Sequence, residues 1–144
     1  MTPMLLESDI LVAYLKEDDW LKPTAEKVIA AVEGGRLGEV SCSAATLHEM
    51  YYVFSEHAPI QTILADFARV TTIKNLKFVD PSAETYLSAL HLARTYGITS
   101  VFDALYAATA LSPMVPDHTI LSTDGVFEKV PGLKRQPPEG LRLQ

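Results

Sequence analysis

Five carboxylates of this chain occupy positions from which they could act together. Two follow the first predicted strand, two lie on later helices, and one follows the last predicted strand; they are Glu7, Asp9, Glu49, Asp103 and Asp124. In open α/β sheets, ligands bind beyond the carboxyl ends of the strands. A cluster of oxygen ligands without His or Cys suits a hard divalent ion such as Mg²⁺ or Mn²⁺. If the five residues converge, they therefore predict metal-assisted chemistry.

Each acid also has a simpler explanation when it is taken alone. Ser100 and Asp103 fit a capping box, Asp124 is a plausible helix cap, and Asp9 suits the first turn of a helix. Glu49 could simply face solvent. Carboxylates about 4 Å apart, however, repel by about 4 kcal/mol per pair at an effective dielectric near 20. Several such pairs would exceed the ~5–15 kcal/mol stability of a domain, so convergence requires bound cations or raised pKa values.

Short strands and amphipathic helices must position these acids. Apolar runs predict strands at 4–6, 39–42, 77–79 and 119–122. Helices are predicted at 10–15, 23–33, 44–54, 60–67, 81–96, 101–111 and 125–129, with Ser43 as the N-cap of the third. Because strands alternate with helices, the pattern predicts an α/β fold with a parallel sheet between two layers of helices.

Apolar spacing also predicts which helix faces are buried. Two stripes at helical spacing are Ile60, Ile63, Leu64 and Phe67, and then Ala83, Tyr86, Leu87, Leu90 and Ala93. The helix around Tyr51 is apolar on most sides, which favours a core position together with a homodimer surface. Trp20 and Tyr51 could instead stack on nucleobases, but core or interface positions are the commoner use of such residues.

Composition limits the class of protein. With 144 residues, 48% of them hydrophobic, the chain suits one domain with a proper core, predicted over 1–135, followed by a Pro-containing tail over 136–144. The single cysteine, Cys42, allows no internal disulfide and predicts a reducing compartment, the cytoplasm. The apolar stretch 10–15 is far shorter than the roughly 20 residues of a membrane span, so no membrane partner is expected.

The net charge of −6 also constrains the partners. The overall charge of an acidic protein does not attract polyanions, so the binding of a nucleic acid would need a local feature of the surface that attracts phosphate. Bound divalent ions at the acidic cluster would reverse the sign of the local charge where such a partner approaches. The sequence thus makes any binding of nucleic acid dependent on metal.

Four blocks that carry the acids occur in a familiar order. They are LESDILVAYL at 6–15, SCSAATLHE at 41–49, FDALYAATA at 102–110 and ILSTD at 120–124. In order and context these blocks resemble the PIN-domain family of metal-dependent ribonucleases, in particular the single-domain VapC-type toxins of toxin–antitoxin pairs. The resemblance extends over about 4–135. The family's first block usually opens with aspartate, whereas this chain has Glu7 there and Asp9 two residues later, so either can be the principal first acid.

The resemblance implies a PIN-like three-layer α/β/α fold with about four to five short parallel strands. It implies hydrolysis of RNA phosphodiester bonds by water activated on divalent ions, Mg²⁺ or Mn²⁺. The implied metal ligands are Glu7, Asp9, Asp103 and Asp124. Glu49 would complete the catalytic cluster, and Ser8 and Thr123 would orient the ligands by hydrogen bonds. The implied partners are an RNA substrate and an antitoxin protein.

Other functions remain open at the level of sequence. Because Glu7 replaces the usual aspartate, a catalytically impaired PIN module that binds RNA or protein is one alternative. A phosphatase-like metal hydrolase would use the same carboxylates. A zinc hydrolase is disfavoured, because His48 and Glu49 begin like a zincin helix but Tyr52 occupies the place of the second histidine.

Overall fold

The predicted apolar runs form the strands of one parallel sheet. The computed structural model describes residues 4–141, and its strands are β1 (Leu5–Leu6), β2 (Val40–Ser43), β3 (Leu76–Val79), β4 (Thr119–Leu121) and β5 (Lys134–Gln136). Within these residues the strand order is β3-β2-β1-β4-β5, and every neighbouring pair is parallel. Parallel pairing brings the carboxyl ends of all five strands to the same edge of the sheet.

Six α-helices connect these strands within the described part of the chain. They are α1 (Ser8–Leu15), α2 (Lys22–Glu33), α3 (Ala45–Ser55), α4 (Ile60–Thr71), α5 (Ala83–Tyr96) and α6 (Val101–Ala110). Local signals in the sequence set several of their ends. The Ser82 hydroxyl accepts a hydrogen bond from the Thr85 amide at the start of α5, and Gly97 ends that helix with a φ of 70°. Ser43, predicted as a cap, instead ends β2, although its hydroxyl still accepts a hydrogen bond from Ala45 N.

Alternating side chains of the strands face two separate apolar cores. Leu6 and Leu121 belong to the core that contains the buried faces of α1 and α2. Their neighbours Leu5 and Ile120 belong to the core beneath α6. Successive residues of a strand point to opposite faces, so two helical layers cover the sheet. This arrangement confirms the predicted three-layer α/β/α fold.

The predicted buried stripe of α5 is wrong. Tyr86, Leu87 and Leu90 are all exposed, and the buried residue of the helix is Ala89. Ala89 belongs to the same core as the alanine-rich α6, which includes Ala104. Small side chains allow two helices to pack closely, so Ala89 and Ala93 lie towards α6, with Leu92 and Tyr96 partly buried against the same core.

In two other helices, apolar residues predicted to be buried are exposed as well. In α4, Ile63 and Val70 are buried, whereas Ile60 and Leu64 face solvent. In α3, the predicted core run is also largely exposed; its exposed residues are Tyr51, Tyr52 and Val53. That helix is held instead by its buried Ala45, Thr46 and Met50. The core interpretation is therefore wrong for Tyr51, Tyr52 and Val53, although Phe54 of the same run packs against a core, and the homodimer surface stays a prediction.

The carboxyl-terminal part of the chain adds a fifth strand to the sheet. Gln136, the last residue of β5, pairs with Leu121, and the following turn buries Pro138. Leu141 packs against one of the two cores. The division of the chain after residue 135 stays a prediction. Among the described residues, no helix is both long and apolar enough to cross a membrane.

Candidate metal centre

One pocket at the carboxyl edge of the sheet collects all the acids selected from the sequence. It has a volume of about 490 Å³ and is lined by Glu7, Ser8, Asp9, Glu49, Asp103, Thr123 and Asp124, among others. The short loops after β1 and β4 carry three of these residues, and α1, α3 and α6 carry the other four. The structure thus brings the seven residues together, including Glu7, Asp9 and Asp124, which the strand-end argument selected. Their roles as ligands stay a prediction.

Glu7 lies at the floor of the pocket and is only 5% exposed. It caps α1, and its Oε2 accepts hydrogen bonds from the Ser8 hydroxyl at 2.7 Å and the Asp9 amide at 2.8 Å. The Ser122 hydroxyl donates to Oε1 at 2.9 Å. Burial and then the charge of Asp9 raise the pKa of Glu7 from 4.5 to about 8, in spite of these three donors. The metal-free protein therefore favours a protonated Glu7 near neutral pH.

Asp9 is held by one oxygen and leaves the other without a partner. Its Oδ2 accepts hydrogen bonds from the Thr123 hydroxyl at 2.6 Å and the Thr123 amide at 2.8 Å. Its buried Oδ1 has no hydrogen-bond partner within the described residues. Burial, together with the charge of Asp124, raises the pKa of Asp9. A buried oxygen of this kind is costly unless a donor or a cation reaches it.

Asp103 and Asp124 complete the acidic side of the pocket. The hydroxyl of Ser100 accepts a hydrogen bond from the Asp103 amide at 3.3 Å, so Ser100 caps α6 as predicted. Burial, followed by the charges of Asp124, Glu49 and Asp9, raises the pKa of Asp103 to about 6. Asp124 caps the short helix after β4 by accepting a hydrogen bond from the Val126 amide. Asp103 and Asp124 therefore lie at the starts of helices and in the acidic pocket at the same time.

Glu49 is fixed from two sides by hydroxyl groups. Its Oε1 accepts hydrogen bonds from the Ser8 hydroxyl at 2.5 Å and the Tyr106 hydroxyl at 2.7 Å. The Ser8 hydroxyl has one proton but contacts both Glu49 and Glu7. One of these two carboxyl groups must therefore carry a proton of its own, and the raised pKa of Glu7 favours Glu7. The solvent-facing interpretation of Glu49 is wrong, because its side chain is half-buried in the pocket.

Two residues of the network escaped the sequence reasoning. Tyr106 is buried in α6, where its hydroxyl needs a partner, and the charge and hydrogen bond of Glu49 add to burial in raising its pKa. A phenol among alanines, three residues after Asp103 on the same helix face, was a usable signal. Ser122 directly follows β4 and bridges Glu7 and the Asp124 amide. Its place at a strand end was the corresponding signal.

The chemistry of the pocket fits a hard divalent cation. Its ligands are oxygens, three of its carboxyl groups have raised pKa values, and Asp9 Oδ1 is buried without a partner. No group of three or more His, Cys, Asp or Glu side chains within residues 4–141 could hold an ion as it stands. The pocket therefore supplies suitable ligands but not a finished coordination shell.

Thr123 is expected to control the orientation of Asp9. We predict that Thr123→Val lowers affinity for Mn²⁺ by about 10- to 100-fold, because outer partners of metal ligands have effects of this size. Isothermal titration calorimetry measures the affinity. Thr119→Val, on the preceding strand, removes a hydroxyl that bonds only the Asp117 carbonyl and serves as the control. Equal affinities for the two variants would contradict an orienting role for Thr123.

The raised pKa of Glu7 predicts a pH-dependent stability for the protein in EDTA. Glu7 of the folded protein keeps its proton above pH 4.5, where the unfolded chain releases it. Its contribution to the free energy of unfolding is therefore complete below pH 4.5. It is lost as the pH rises towards about 8, by up to about 1.4 kcal/mol per pH unit. Glu7→Gln mimics the protonated acid, so its melting temperature should increasingly exceed that of the wild type over this range. A constant difference between the two melting curves would contradict the assignment.

Comparison with known proteins agrees with this architecture. The fold and the acidic pocket define an α/β protein with carboxylates beyond the ends of its strands. The family model of the PIN domain matches residues 4–133, and the chain belongs to this family. No curated protein matches the chain in sequence.

Solved structures of toxins share the fold. VapC20 of Mycobacterium tuberculosis, a toxin that cleaves the sarcin-ricin loop, superposes with a TM-score of 0.71 at 17% identity, covering 87% of this chain and 92% of that chain. VapBC2 of Rickettsia felis, bound to promoter DNA, gives 0.68 at 16% identity, covering 92% and 98%. A toxin–antitoxin complex from Klebsiella pneumoniae gives 0.67 at 15% identity, covering 94% and 97%. These likenesses confirm the predicted PIN-like fold.

Proposed function

We propose that this protein is a divalent-metal-dependent endoribonuclease and the toxin component of a type II toxin–antitoxin pair. The observation that carries the proposal is the single pocket lined by Glu7, Asp9, Glu49, Asp103 and Asp124. Membership of the PIN domain family supports it. The structural likeness to VapC20, a toxin that cleaves the sarcin-ricin loop, is consistent with a nuclease.

The acids have distinct roles in this proposal. Glu7, Asp9, Asp103 and Asp124 hold Mg²⁺ or Mn²⁺. When bound, the ion would act as a Lewis acid that activates water and stabilises the charge that develops on the phosphate. Thr123 holds Asp9 through Oδ2, which leaves the buried Oδ1 without a hydrogen-bond partner among the described residues and available to a cation.

Glu49 and Ser8 complete the catalytic cluster. Because Ser8 and Tyr106 both donate to Glu49 Oε1, that carboxylate keeps one orientation beside Asp103. The Ser8 hydroxyl also contacts the carboxyl group of Glu7, so it links the first acid to the second block. The mutual repulsion of Glu49, Asp9, Asp103 and Asp124, which is evident in the raised pKa of Asp103, is relieved when a cation is bound.

The proposed partners and location follow from the same assignment. RNA is the substrate, and an antitoxin protein covers either the acidic pocket or an apolar groove. Structural neighbours from Rickettsia felis and Klebsiella pneumoniae are themselves toxin–antitoxin assemblies. The exposed Tyr51, Tyr52 and Val53 of α3 offer an apolar surface for a homodimer. The single buried Cys42 agrees with a cytoplasmic location.

A catalytically impaired PIN module is the second candidate. It is favoured by Glu7, whose carboxyl group is committed to three hydrogen bonds and has a pKa raised to about 8. Titration of the wild-type protein with Mn²⁺ in a calorimeter at pH 8 separates the two candidates. Saturable binding that Asp103→Asn weakens supports the nuclease, whereas the absence of binding at millimolar Mn²⁺ overturns it in favour of the impaired module.

A further inference from the structure

Trp20 is exposed at the rim of the acidic pocket. It is the only tryptophan of the chain, and 76% of its surface is open to solvent. Tryptophan normally contributes to a core or an interface because of its large apolar surface. Several large apolar side chains of the described residues are exposed, but Trp20 is the most exposed of them and, with Val53, lines the acidic pocket.

The turn that carries Trp20 is fixed on both sides of the indole. The Asp19 carboxylate accepts a hydrogen bond from the Leu21 amide at 2.9 Å, and the Asp19 carbonyl accepts one from the Lys22 amide at 3.0 Å. Leu21 is 3% exposed and anchors the turn in the core. The backbone therefore holds the indole at the pocket while leaving its surface free. Such an arrangement reduces the entropy lost when a ligand binds.

The pocket has two kinds of lining residue. Besides its carboxylates, Trp20 and the apolar side chains Val12, Leu21 and Val53 line it. Metal-binding oxygens beside an apolar aromatic surface match the two parts of a nucleotide, namely its phosphate and its base. The scissile phosphate would lie at the acids, and a neighbouring base would lie against the indole.

Charge explains why stacking would be needed. The chain has a net charge of −6, and no lysine or arginine is among the residues that line the pocket. Contacts between cationic side chains and phosphates therefore cannot hold RNA inside this pocket. Stacking of a base on an aromatic side chain is independent of net charge and tolerates any base sequence.

We infer that Trp20 is a base-stacking platform for an unpaired nucleotide of the RNA substrate. This inference rests on the proposed ribonuclease function and specifies its substrate as single-stranded RNA at the point of cleavage. A base within a duplex is already stacked and paired, so it cannot present its face to the indole.

Fluorescence provides a direct test because Trp20 is the only tryptophan. The Asp103→Asn variant is used so that the RNA stays intact. A single-stranded oligouridylate is titrated into the variant with Mg²⁺ present, and an abasic RNA of the same length serves as the control ligand. We expect the oligouridylate to quench the fluorescence in a saturable way and the abasic RNA to leave it unchanged. Equal responses to the two ligands would overturn the inference.

Variants extend the test to affinity, measured with a labelled RNA in the same Asp103→Asn background. Trp20→Ala should weaken binding by about tenfold or more, because stacking on one aromatic side chain has an effect of this size. Trp20→Phe should retain most of the affinity. Tyr86→Ala, which truncates an exposed aromatic residue of α5 outside the pocket, should leave it unchanged.

Two outcomes separate this inference from the proposed function. Cleavage that requires Mn²⁺, with unchanged RNA affinity in Trp20→Ala, would overturn the stacking role and leave the nuclease standing. Quenching by RNA without cleavage under any metal would overturn the nuclease and support the stacking role.

If Trp20→Ala instead dissociates a homodimer in sedimentation and binds RNA normally, the indole belongs to a protein interface and the inference is wrong.

Discussion

Replacement of Asp103 by asparagine is expected to reduce RNA cleavage by at least about 100-fold. The substitution keeps the size of the side chain and the capping of α6 by Ser100, but it removes a charge that faces Asp124, Glu49 and Asp9. A metal ion contributes several kcal/mol of charge stabilisation, and each 1.36 kcal/mol corresponds to a factor of ten in rate. A single-turnover assay on a labelled RNA measures the loss.

Stability separates this loss from misfolding. The pKa of Asp103 is raised to about 6, so its side chain is ionised at pH 8. This charge destabilises the folded protein when no metal is bound. Asp103→Asn should therefore melt at the same temperature as the wild type in EDTA, or higher. Asp80→Asn alters another aspartate that follows a strand, outside the pocket, and should cleave RNA normally. Undiminished cleavage by Asp103→Asn would contradict its assignment as a metal ligand.

Asp9→Asn is expected to produce the largest loss of metal affinity, beyond the 100-fold limit set for its partner Thr123. The structure directs one oxygen of Asp9 to Thr123 and leaves Oδ1 buried without a partner among the described residues. The amide would remove the negative charge on which the binding of a hard cation depends. Calorimetric titration with Mn²⁺ at pH 8 measures the change.

A matched substitution tests whether the first or the third position of the opening block is the principal ligand. Glu7→Gln removes the other charge of the pair, but Glu7 already favours the protonated form because of its pKa of about 8. We therefore expect Glu7→Gln to weaken Mn²⁺ binding less than Asp9→Asn does. The reverse order would identify Glu7 as the principal ligand and contradict this account of Asp9.

The sequence predicted acids at the ends of strands and the starts of helices, while their convergence stayed a condition that the structure meets. Strand-end positions and helix-start signals placed Glu7, Asp9, Asp103 and Asp124 at one edge, because parallel strands share that edge. The capping explanations were correct at the same time, since Asp124 is both a helix cap and a pocket residue. Capping and ligand roles need the same location, so neither one excludes the other.

The contacts between distant segments could not be predicted in this way. Asp9 bonds Thr123 across 114 residues, and Glu49 bonds Tyr106 across 57. Such pairs depend on the register of the strands and the packing of α3 against α6, which apolar spacing does not determine. The prediction that the apolar stripe of α5 is buried was wrong for a related reason, because the buried residue of that helix is the small Ala89.

The central claim is that the acidic pocket holds a divalent ion on which RNA cleavage depends. It is tested most directly by treating the wild-type protein with EDTA, removing the chelator, and measuring cleavage of single-stranded RNA as Mn²⁺ is added back. The account predicts no cleavage without the ion and a saturable recovery with it. Cleavage at the same rate in EDTA and in Mn²⁺ would contradict it.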